Sequence, residues 1–155
     1  MAARIIAQPI SHIFNLSIQS NVIPDVWKTA HVLPLLKGGD PTLLNNYRPI
    51  SKLSILAKVL ERLVNDQVKD YLSLNNILSP FQSGFRKQHS TATAAIKVIN
   101  DIVEAMDAKK YCAALFIDLS KAFDTVDQSI SCQRLSTIGM SDHAVGWFSN
   151  YFSGR

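Results

Sequence analysis

The residue of this sequence that most directly indicates chemistry is an aspartate at the end of an apolar run. The segment from Tyr111 to Ile117 is continuously apolar and of strand length, and Asp118 follows it at once. Such a run is typical of a strand buried on both faces. Because ligands and catalytic groups gather beyond the carboxyl ends of strands in α/β sheets, we interpret Asp118 as a candidate site residue. The pattern leaves open a second role, as a turn or helix-capping aspartate.

Three chemistries use an acidic residue in such a position, and the neighbouring residues exclude two of them. A calcium loop of the EF-hand kind fails at Ala122, Phe123 and Ser129, where a ligand, a glycine and a glutamate are required. A phosphoaspartyl hydrolase requires a second acid where Ser120 stands. The chemistry that remains is two-metal nucleotidyl transfer, in which a strand-end carboxylate holds Mg²⁺ ions that activate a hydroxyl and neutralise a triphosphate.

Composition sets limits on the class of protein. With 155 residues, of which 47% are hydrophobic, the chain is long enough to bury one core. The net charge of +4 favours a polyanionic partner, although dispersed surface lysines give the same total. Cys112 and Cys132 lack CxxC spacing and the histidines form no HExxH pattern, so neither a zinc site nor a disulfide scaffold is indicated.

From the first residues of the sequence we expect neither an export signal nor a membrane anchor. Gln8, Pro9 and His12 interrupt the apolar residues before a signal peptide or a membrane span could form. We therefore expect an intracellular protein, in the cytoplasm, the nucleus or both, that makes no membrane contact.

Hydrophobic periodicity predicts the elements that would position these residues. A helix is predicted from Ile5 to Ile18, with Pro9 inside it and a break at Asn21 to Pro24, and a strand from His31 to Lys37 is followed by a loop at Gly38 to Pro41. Two long helices follow: an amphipathic one from Ile50 to Leu74, capped by Ser51 or Ser54, and one that Ser90 caps and that ends near Asp107 to Lys110. The last predicted elements are the strand from Tyr111 to Ile117 and two helices capped by Asp127 and Ser141. The two long helices are expected to supply much of the core of one α/β unit.

Four blocks of the sequence resemble one protein family. The segment from Phe116 to Asp127 closely resembles motif A of LINE-type reverse transcriptases. The upstream blocks from Trp27 to Lys37, from Asn46 to Ser51, and from Gln82 to Arg86 with Ser90 and Thr91, are similar to the finger motifs of that family, in the same order and at the same spacing. The resemblance covers essentially the whole chain and is closest to jockey-like and related vertebrate elements of the non-LTR retrotransposons.

The resemblance implies an α/β (α+β) fold, rich in helices, that forms the fingers and part of the palm of a right-hand polymerase. One partial reverse transcriptase domain would span residues 1–155, with a fingers-like region at about 1–110 and the start of the palm, with motif A, at about 111–155. The implied activity is RNA-directed DNA polymerisation, and the implied partners are an RNA template, a DNA primer, dNTPs and Mg²⁺.

The resemblance also implies roles for residues around the nucleotide. Asp118 would be the catalytic carboxylate and a Mg²⁺ ligand, and the backbone carbonyl of Leu119 would complete part of that coordination. Phe123 would lie under the incoming sugar and select deoxynucleotides, and its alternative role is a core phenylalanine. Lys37 and Arg48 would hold the triphosphate, a task suited to a point charge and a planar fork. Without the resemblance, both are ordinary exposed cations.

A second set of residues is implied to lie along the template strand. In this block glycine permits close backbone approach, and arginine can contact phosphate. The alternative role of this block is a turn whose arginine is solvated. Asp124 and Asp127 are interpreted as turn and cap residues. The block comprises Gln82, Gly84, Phe85 and Arg86.

Two further motifs of the family do not occur in these residues, namely the aromatic-Ala-Asp-Asp turn and the Pro-Gln-Gly block that precedes it. Because one carboxylate cannot hold two metals in catalytic geometry, the chain alone is expected not to polymerise. The alternative function is a catalytically inactive, nucleic-acid-binding remnant that lacks the second aspartate pair, and a third interpretation is a truncation of a longer active enzyme. The template RNA, the target site and the oligomeric state are not predicted.

Overall fold

The structure is a computed structural model, and it describes residues 2–120 and 122–154. Within these residues the fold is mostly helical and contains one small antiparallel sheet. None of the described helices is both long and apolar enough to cross a membrane. The elements in chain order are α1 (Ala2–Ser20), α2 (Asp25–Lys28), β1 (His31–Leu36), β2 (Tyr47–Lys52), α3 (Ile55–Leu74), α4 (Thr91–Asp107), α5 (Gln128–Thr137) and α6 (Asp142–Phe152).

The chain divides into two compact units. The first unit comprises residues 1–69 and 126–155, and the second comprises residues 70–125. The predicted boundary between a fingers-like region at 1–110 and the start of a palm at 111–155 stays a prediction.

The core of the first unit is aromatic and joins helices that are distant in sequence. Phe14 of α1 packs edge-to-face on Trp27 of α2, with ring centroids 5.7 Å apart. Trp147 of α6 stacks on Tyr151 at 5.6 Å, and its Nε1 donates a hydrogen bond of 3.4 Å to Ser17 Oγ. Burial of such rings is the main source of stability in a core of this size. The buried apolar residues are Phe14, Ile23, Trp27, Ala57, Leu60 and Trp147.

The predicted break after the first helix is confirmed, although the helix is longer at both ends than the predicted Ile5 to Ile18. Helix α1 ends at Ser20, and Asn21 takes a left-handed backbone with φ of 55°. The backbone N–H of Val22 then donates to the carbonyl of Ser17 at 3.1 Å, which satisfies one of the orphan carbonyls at the helix end. Pro9 lies inside the helix, as the sequence indicates.

The prediction for α3 is wrong at its amino end. Residues Ile50 to Lys52 belong to β2, and the helix begins at Ile55. Ile50, Ser51 and Lys52 pair with residues of β1, so their backbone groups form hydrogen bonds in the sheet and not in a helix. Ser54 is the capping residue, because its Oγ accepts a hydrogen bond of 3.2 Å from the N–H of Ala57.

The predicted first strand is confirmed and forms a hairpin with β2. In the antiparallel register His31 faces Lys52 and Leu36 faces Tyr47. The backbone N–H of Lys37 donates to the carbonyl of Asn46 at 2.7 Å and extends the ladder by one residue.

In the second unit the predicted cap of α4 is confirmed, but its predicted contribution to the core is wrong. Ser90 Oγ accepts from the N–H of Thr93 at 3.1 Å, and Thr93 Oγ1 accepts from the N–H of Ser90 at 2.9 Å, which completes a capping box. No residue of α4 is buried, however, and Ile96 and Ile99 are both more than half exposed. The apolar face of α4 is therefore largely exposed within the described residues of the second unit.

The predicted strand at 111–117 is also wrong in the described chain. Residues 111–119 have no regular secondary structure, and Leu115 and Phe116 are each 85% exposed. An extended segment becomes a stable strand only when a neighbouring strand accepts its backbone hydrogen bonds, and β1 and β2 are the strands of the described sheet. Apolar composition alone did not reveal this dependence on a partner.

Candidate functional site

The two predicted triphosphate-binding cations lie on the same face of the β1–β2 hairpin. Arg48 stands directly opposite Leu35 in the register. Side chains alternate between the two faces along a strand, so Lys37, two residues after Leu35, lies on the face that carries Arg48. Diagonal neighbours of this kind lie about 7–8 Å apart, within reach of long side chains. Both side chains are exposed.

This face carries further basic residues that the sequence analysis did not single out. His31 and Lys52 face each other at the far end of the hairpin, and alternation places both on the face of Arg48. The signal was present in the sequence, because Lys52 follows Arg48 by an even number of residues within one strand. The residues on this face are His31, Leu33, Leu35, Lys37, Asn46, Arg48, Ile50 and Lys52, and none is acidic.

The loop beside Lys37 is held by its own hydrogen bonds. The carboxylate of Asp40 accepts from the hydroxyl of Thr42 at 2.7 Å and from its backbone N–H at 2.8 Å, and these two bonds hold the pKa of Asp40 below its usual value. Asn46 Nδ2 donates to the carbonyl of Asp40 at 2.8 Å. Lys37 Nζ donates to the carbonyl of Asn45 at 3.3 Å, so its ammonium group lies against this ordered loop.

In the second unit, Arg86 braces the loop that contains the predicted template block. Its Nη1 donates to the carbonyl of Ser79 at 3.1 Å and to the carbonyl of Gln82 at 3.4 Å. The backbone N–H of Gln82 also donates to the carbonyl of Ser79 at 3.1 Å. Because a guanidinium carries five N–H donors, the bracing bonds leave other donors available for a phosphate. The predicted phosphate contact of Arg86 stays a prediction.

Two predicted site residues of the second unit contact each other. The rings of Phe85 and Phe123 lie edge-to-face, with centroids 6.3 Å apart and planes at 85°. Each side chain is 80% exposed, which excludes a role for Phe123 as a core phenylalanine in this chain. Phe85 has a left-handed backbone with φ of 61°. A Cβ added to the neighbouring Gly84 would meet nothing within 4 Å, so the backbone there is open to the approach of a ligand.

Asp118 and Leu119 lie in the irregular segment of the second unit, and both are exposed. The carboxylate of Asp118 and the carbonyl of Leu119 are oxygen donors, the type that Mg²⁺ prefers. They would supply only part of the roughly octahedral shell that this ion requires. Among the described residues, no group of three or more potential metal ligands lies together. The residues thus fit a partial Mg²⁺ site in their chemistry.

The interpretation of Asp127 as a cap is confirmed. Its Oδ1 accepts from the hydroxyl of Ser129 at 2.6 Å and from the backbone N–H groups of Ser129 and Ile130 at 2.8 and 3.1 Å. These bonds, led by the Ser129 hydroxyl, hold the pKa of Asp127 below its usual value. This carboxylate is therefore committed to the start of α5.

Comparison with known proteins gives one family and several relatives. The sequence profile of the family described as reverse transcriptase (RNA-dependent DNA polymerase) matches residues 35–155. The probable RNA-directed DNA polymerase from transposon BS of Drosophila melanogaster is 40% identical over 115 residues, which are 74% of this chain and 13% of that protein. The RNA-directed DNA polymerase from mobile element jockey of the same species is 36% identical over 120 residues, 77% of this chain and 13% of that protein.

A third relative, the probable RNA-directed DNA polymerase from transposon X-element of Drosophila melanogaster, is 35% identical over 147 residues, 94% of this chain. The matches span 13%, 13% and 16% of the lengths of these three relatives. No solved structure matches the chain.

Proposed function

Because the chain belongs to the reverse transcriptase (RNA-dependent DNA polymerase) family, we propose that it contributes the nucleotide-binding and template-binding surfaces of an RNA-directed DNA polymerase of a non-LTR retrotransposon. The predicted resemblance to reverse transcriptases of jockey-like elements is confirmed by the relatives. The single observation that carries the proposal is the family match over residues 35–155, which includes every predicted site residue.

The hairpin face is the proposed site for the triphosphate of the incoming dNTP. Lys37 and Arg48 share this face, and none of the cross-strand residues on it is acidic. Arg48 offers a planar fork that can contact two phosphate oxygens, while Lys37 offers a compact charge. Two unlike cations on one face of a sheet can hold a polyphosphate in one orientation.

Asp118 and the carbonyl of Leu119 are the proposed ligands for Mg²⁺ in this chain. When bound, the ion would polarise the phosphoryl oxygens and stabilise the charge that develops on them. Asp118 is exposed, so its carboxylate is accessible to an ion that arrives with the nucleotide. The remaining ligands would come from the nucleotide, from water and from carboxylates that this chain does not contain.

Phe123 and the loop that contains Gln82, Gly84, Phe85 and Arg86 are the proposed contacts to the sugar of the nucleotide and to the RNA template. Phe123 presents an exposed ring that can exclude a 2′-hydroxyl by its bulk. Gly84 leaves the backbone open to a nucleic-acid strand, and the free donors of Arg86 can contact phosphate. The same proposal includes a DNA primer as a partner and an intracellular setting. It also assigns this chain to the fingers and part of the palm of the polymerase.

The experiment is primer extension on an RNA template with Mg²⁺ and dNTPs. Two proteins are compared, the chain itself and the jockey polymerase in which residues 35–155 of this chain replace the matched segment. We expect extension by the exchanged polymerase and its loss in the Asp118→Ala variant. The matched control is Asp101→Ala, which removes an exposed acid on α4 and should leave extension unchanged.

The outcomes separate the proposal from its alternative. An exchanged polymerase that binds primer and template but does not extend, or that extends equally well with Asp118→Ala, contradicts the proposal. The alternative, an inactive nucleic-acid-binding remnant, predicts that the chain itself binds RNA with an affinity that falls steeply with salt while the exchanged polymerase makes no DNA.

A further inference from the structure

We propose that Phe85 is a positioning residue for the Phe123 ring, and that the loop carrying Phe85 thereby sets how strongly the polymerase discriminates against ribonucleotides. The inference rests on the proposed function, since it assigns a task to a residue that acts through Phe123. It names the feature of the substrate that is sensed, the 2′ position of the incoming sugar.

The first observation is the geometry of the pair. The rings of Phe85 and Phe123 meet edge-to-face at 6.3 Å and 85°, the arrangement in which the positive edge of one ring faces the negative face of the other. Both side chains are 80% exposed, so hydrophobic burial does not hold them together in a core. Among the described residues, Phe85 is the aromatic residue whose ring contacts that of Phe123.

The second observation is the backbone of Phe85. Its φ of 61° lies in the left-handed region, which bulky residues rarely adopt. Strain of this kind persists where the surrounding structure enforces it, and it concentrates at functional sites. Gly84, which could adopt this conformation without strain, is the adjacent residue and has no positive φ. The loop thus places a phenylalanine at the position where glycine would be most stable.

The third observation is the bracing of the loop. Arg86 Nη1 donates to the carbonyls of Ser79 and Gln82, and the N–H of Gln82 donates to the carbonyl of Ser79. These bonds connect both sides of Phe85 to one turn. A loop held by these hydrogen bonds can keep the Phe85 ring in one place. Phe123 lies in an exposed and irregular segment, so its ring depends on a neighbour such as Phe85 for its position.

The consequence is chemical. A single hydroxyl distinguishes ribose from deoxyribose, so steric exclusion depends on a ring that cannot move aside. An edge-to-face partner limits the rotation of the Phe123 ring, and its removal should admit ribonucleotides, so that the ratio of dNTP to rNTP incorporation falls.

The test measures the efficiency of dNTP and rNTP incorporation by the jockey polymerase that carries residues 35–155 of this chain. We expect Phe85→Ala to lower the preference for dNTP by roughly three- to tenfold, the range expected for one aromatic pair. Phe85→Tyr keeps the ring and should restore the preference. Phe81→Ala is the matched control, because Phe81 is equally exposed, at 80%, but its ring lies under Lys97 Nζ at 4.5 Å.

A double variant distinguishes positioning from a separate contact. If Phe85 acts through Phe123, then Phe85→Ala should cause no further loss in a Phe123→Ala background. Independent, additive losses, or an equal loss in Phe81→Ala, would overturn the inference. If the exchanged polymerase without a point substitution makes no DNA, the proposed function is refuted. If it makes DNA but Phe85→Ala leaves its preference for dNTP over rNTP unchanged, this inference alone is refuted.

Discussion

Tyr151 Oη donates a hydrogen bond of 2.8 Å to Glu61 Oε1 and so connects α6 to α3 across 90 residues of sequence. The bond lies beside the core, where Tyr151 stacks on the buried Trp147. The partly buried carboxylate of Glu61 on α3 thus accepts a hydrogen bond from a residue of α6. The hairpin and α3 belong to the same compact unit as α6, so this contact helps to hold together the unit that carries Lys37 and Arg48.

The first prediction concerns this contact. Tyr151→Phe keeps the stacked ring but removes the hydroxyl, and we expect it to lower the free energy of unfolding by about 1 kcal/mol, as for a typical protein hydrogen bond. Urea unfolding of the chain would measure the change. Tyr111→Phe is the control, since Tyr111 is fully exposed and should show almost no effect. Equal effects of the two variants would contradict the role of the contact.

The second prediction concerns the core. Leu60 and Ile55 lie on the same helix, but Leu60 is 3% exposed and Ile55 is 80% exposed. We expect Leu60→Ala to destabilise the first unit by about 2–5 kcal/mol, because it leaves a cavity, whereas Ile55→Ala should cost less than about 0.5 kcal/mol. Chemical unfolding monitored by tryptophan fluorescence reports both values, because Trp27 and Trp147 belong to the same unit. A loss from Ile55→Ala as large as that from Leu60→Ala would refute the assigned core.

The third prediction concerns the braced loop of the second unit. Arg86→Ala removes both hydrogen bonds to the carbonyls of Ser79 and Gln82. We expect the amide of Gln82 to exchange with solvent faster, since local opening then breaks fewer bonds. Hydrogen exchange followed by mass spectrometry would measure the rate, with Lys87→Ala as the control in the same loop. Unchanged exchange in Arg86→Ala would show that the guanidinium does not brace the loop.

The fourth prediction is a pH dependence at the start of α5. The hydroxyl of Ser129 and the N–H groups of Ser129 and Ile130 lower the pKa of Asp127 in the folded chain. A lowered pKa stabilises the fold at pH values above that of the unfolded carboxyl, about 3.9, and this stabilisation is lost as the pH falls through the folded value. Unfolding measured between pH 7 and pH 3 should show this loss. In Asp127→Asn, which keeps a good cap without the charge, the profile should be flatter. Identical profiles would contradict the assignment.

Local signals in the sequence predict the starts of α4, α5 and α6. The caps at Ser90, Asp127 and Ser141 are all confirmed, because a cap depends on a side chain and on backbone N–H groups only a few residues away. The end of α1 at Asn21 is local in the same sense. These features are readable because the groups that interact are close in the chain.

Structural features that depend on contacts between residues distant in the sequence could not be predicted from local patterns. Apolar spacing predicts that α3 begins at Ile50, because the spacing there fits a helix as well as it fits the strand that pairs with β1. The apolar run at 111–117 predicts a strand, although a strand also requires a partner. The contact between Phe85 and Phe123 lies in the same category, since the blocks that carry them are separated by α4.

The last prediction concerns the face shared by Lys37 and Arg48. In the jockey polymerase that carries residues 35–155, Arg48→Ala should raise the KM for dNTP by roughly ten- to a hundredfold, since charge-assisted bonds to phosphate are strong. Arg48→Lys should recover only part of the loss, because a point charge cannot contact two oxygens at once. Lys58→Ala, an exposed cation on α3, is the control and should leave the KM unchanged. If Lys58→Ala raised the KM as much as Arg48→Ala, the effect would come from net charge, and the hairpin face would not be the triphosphate site.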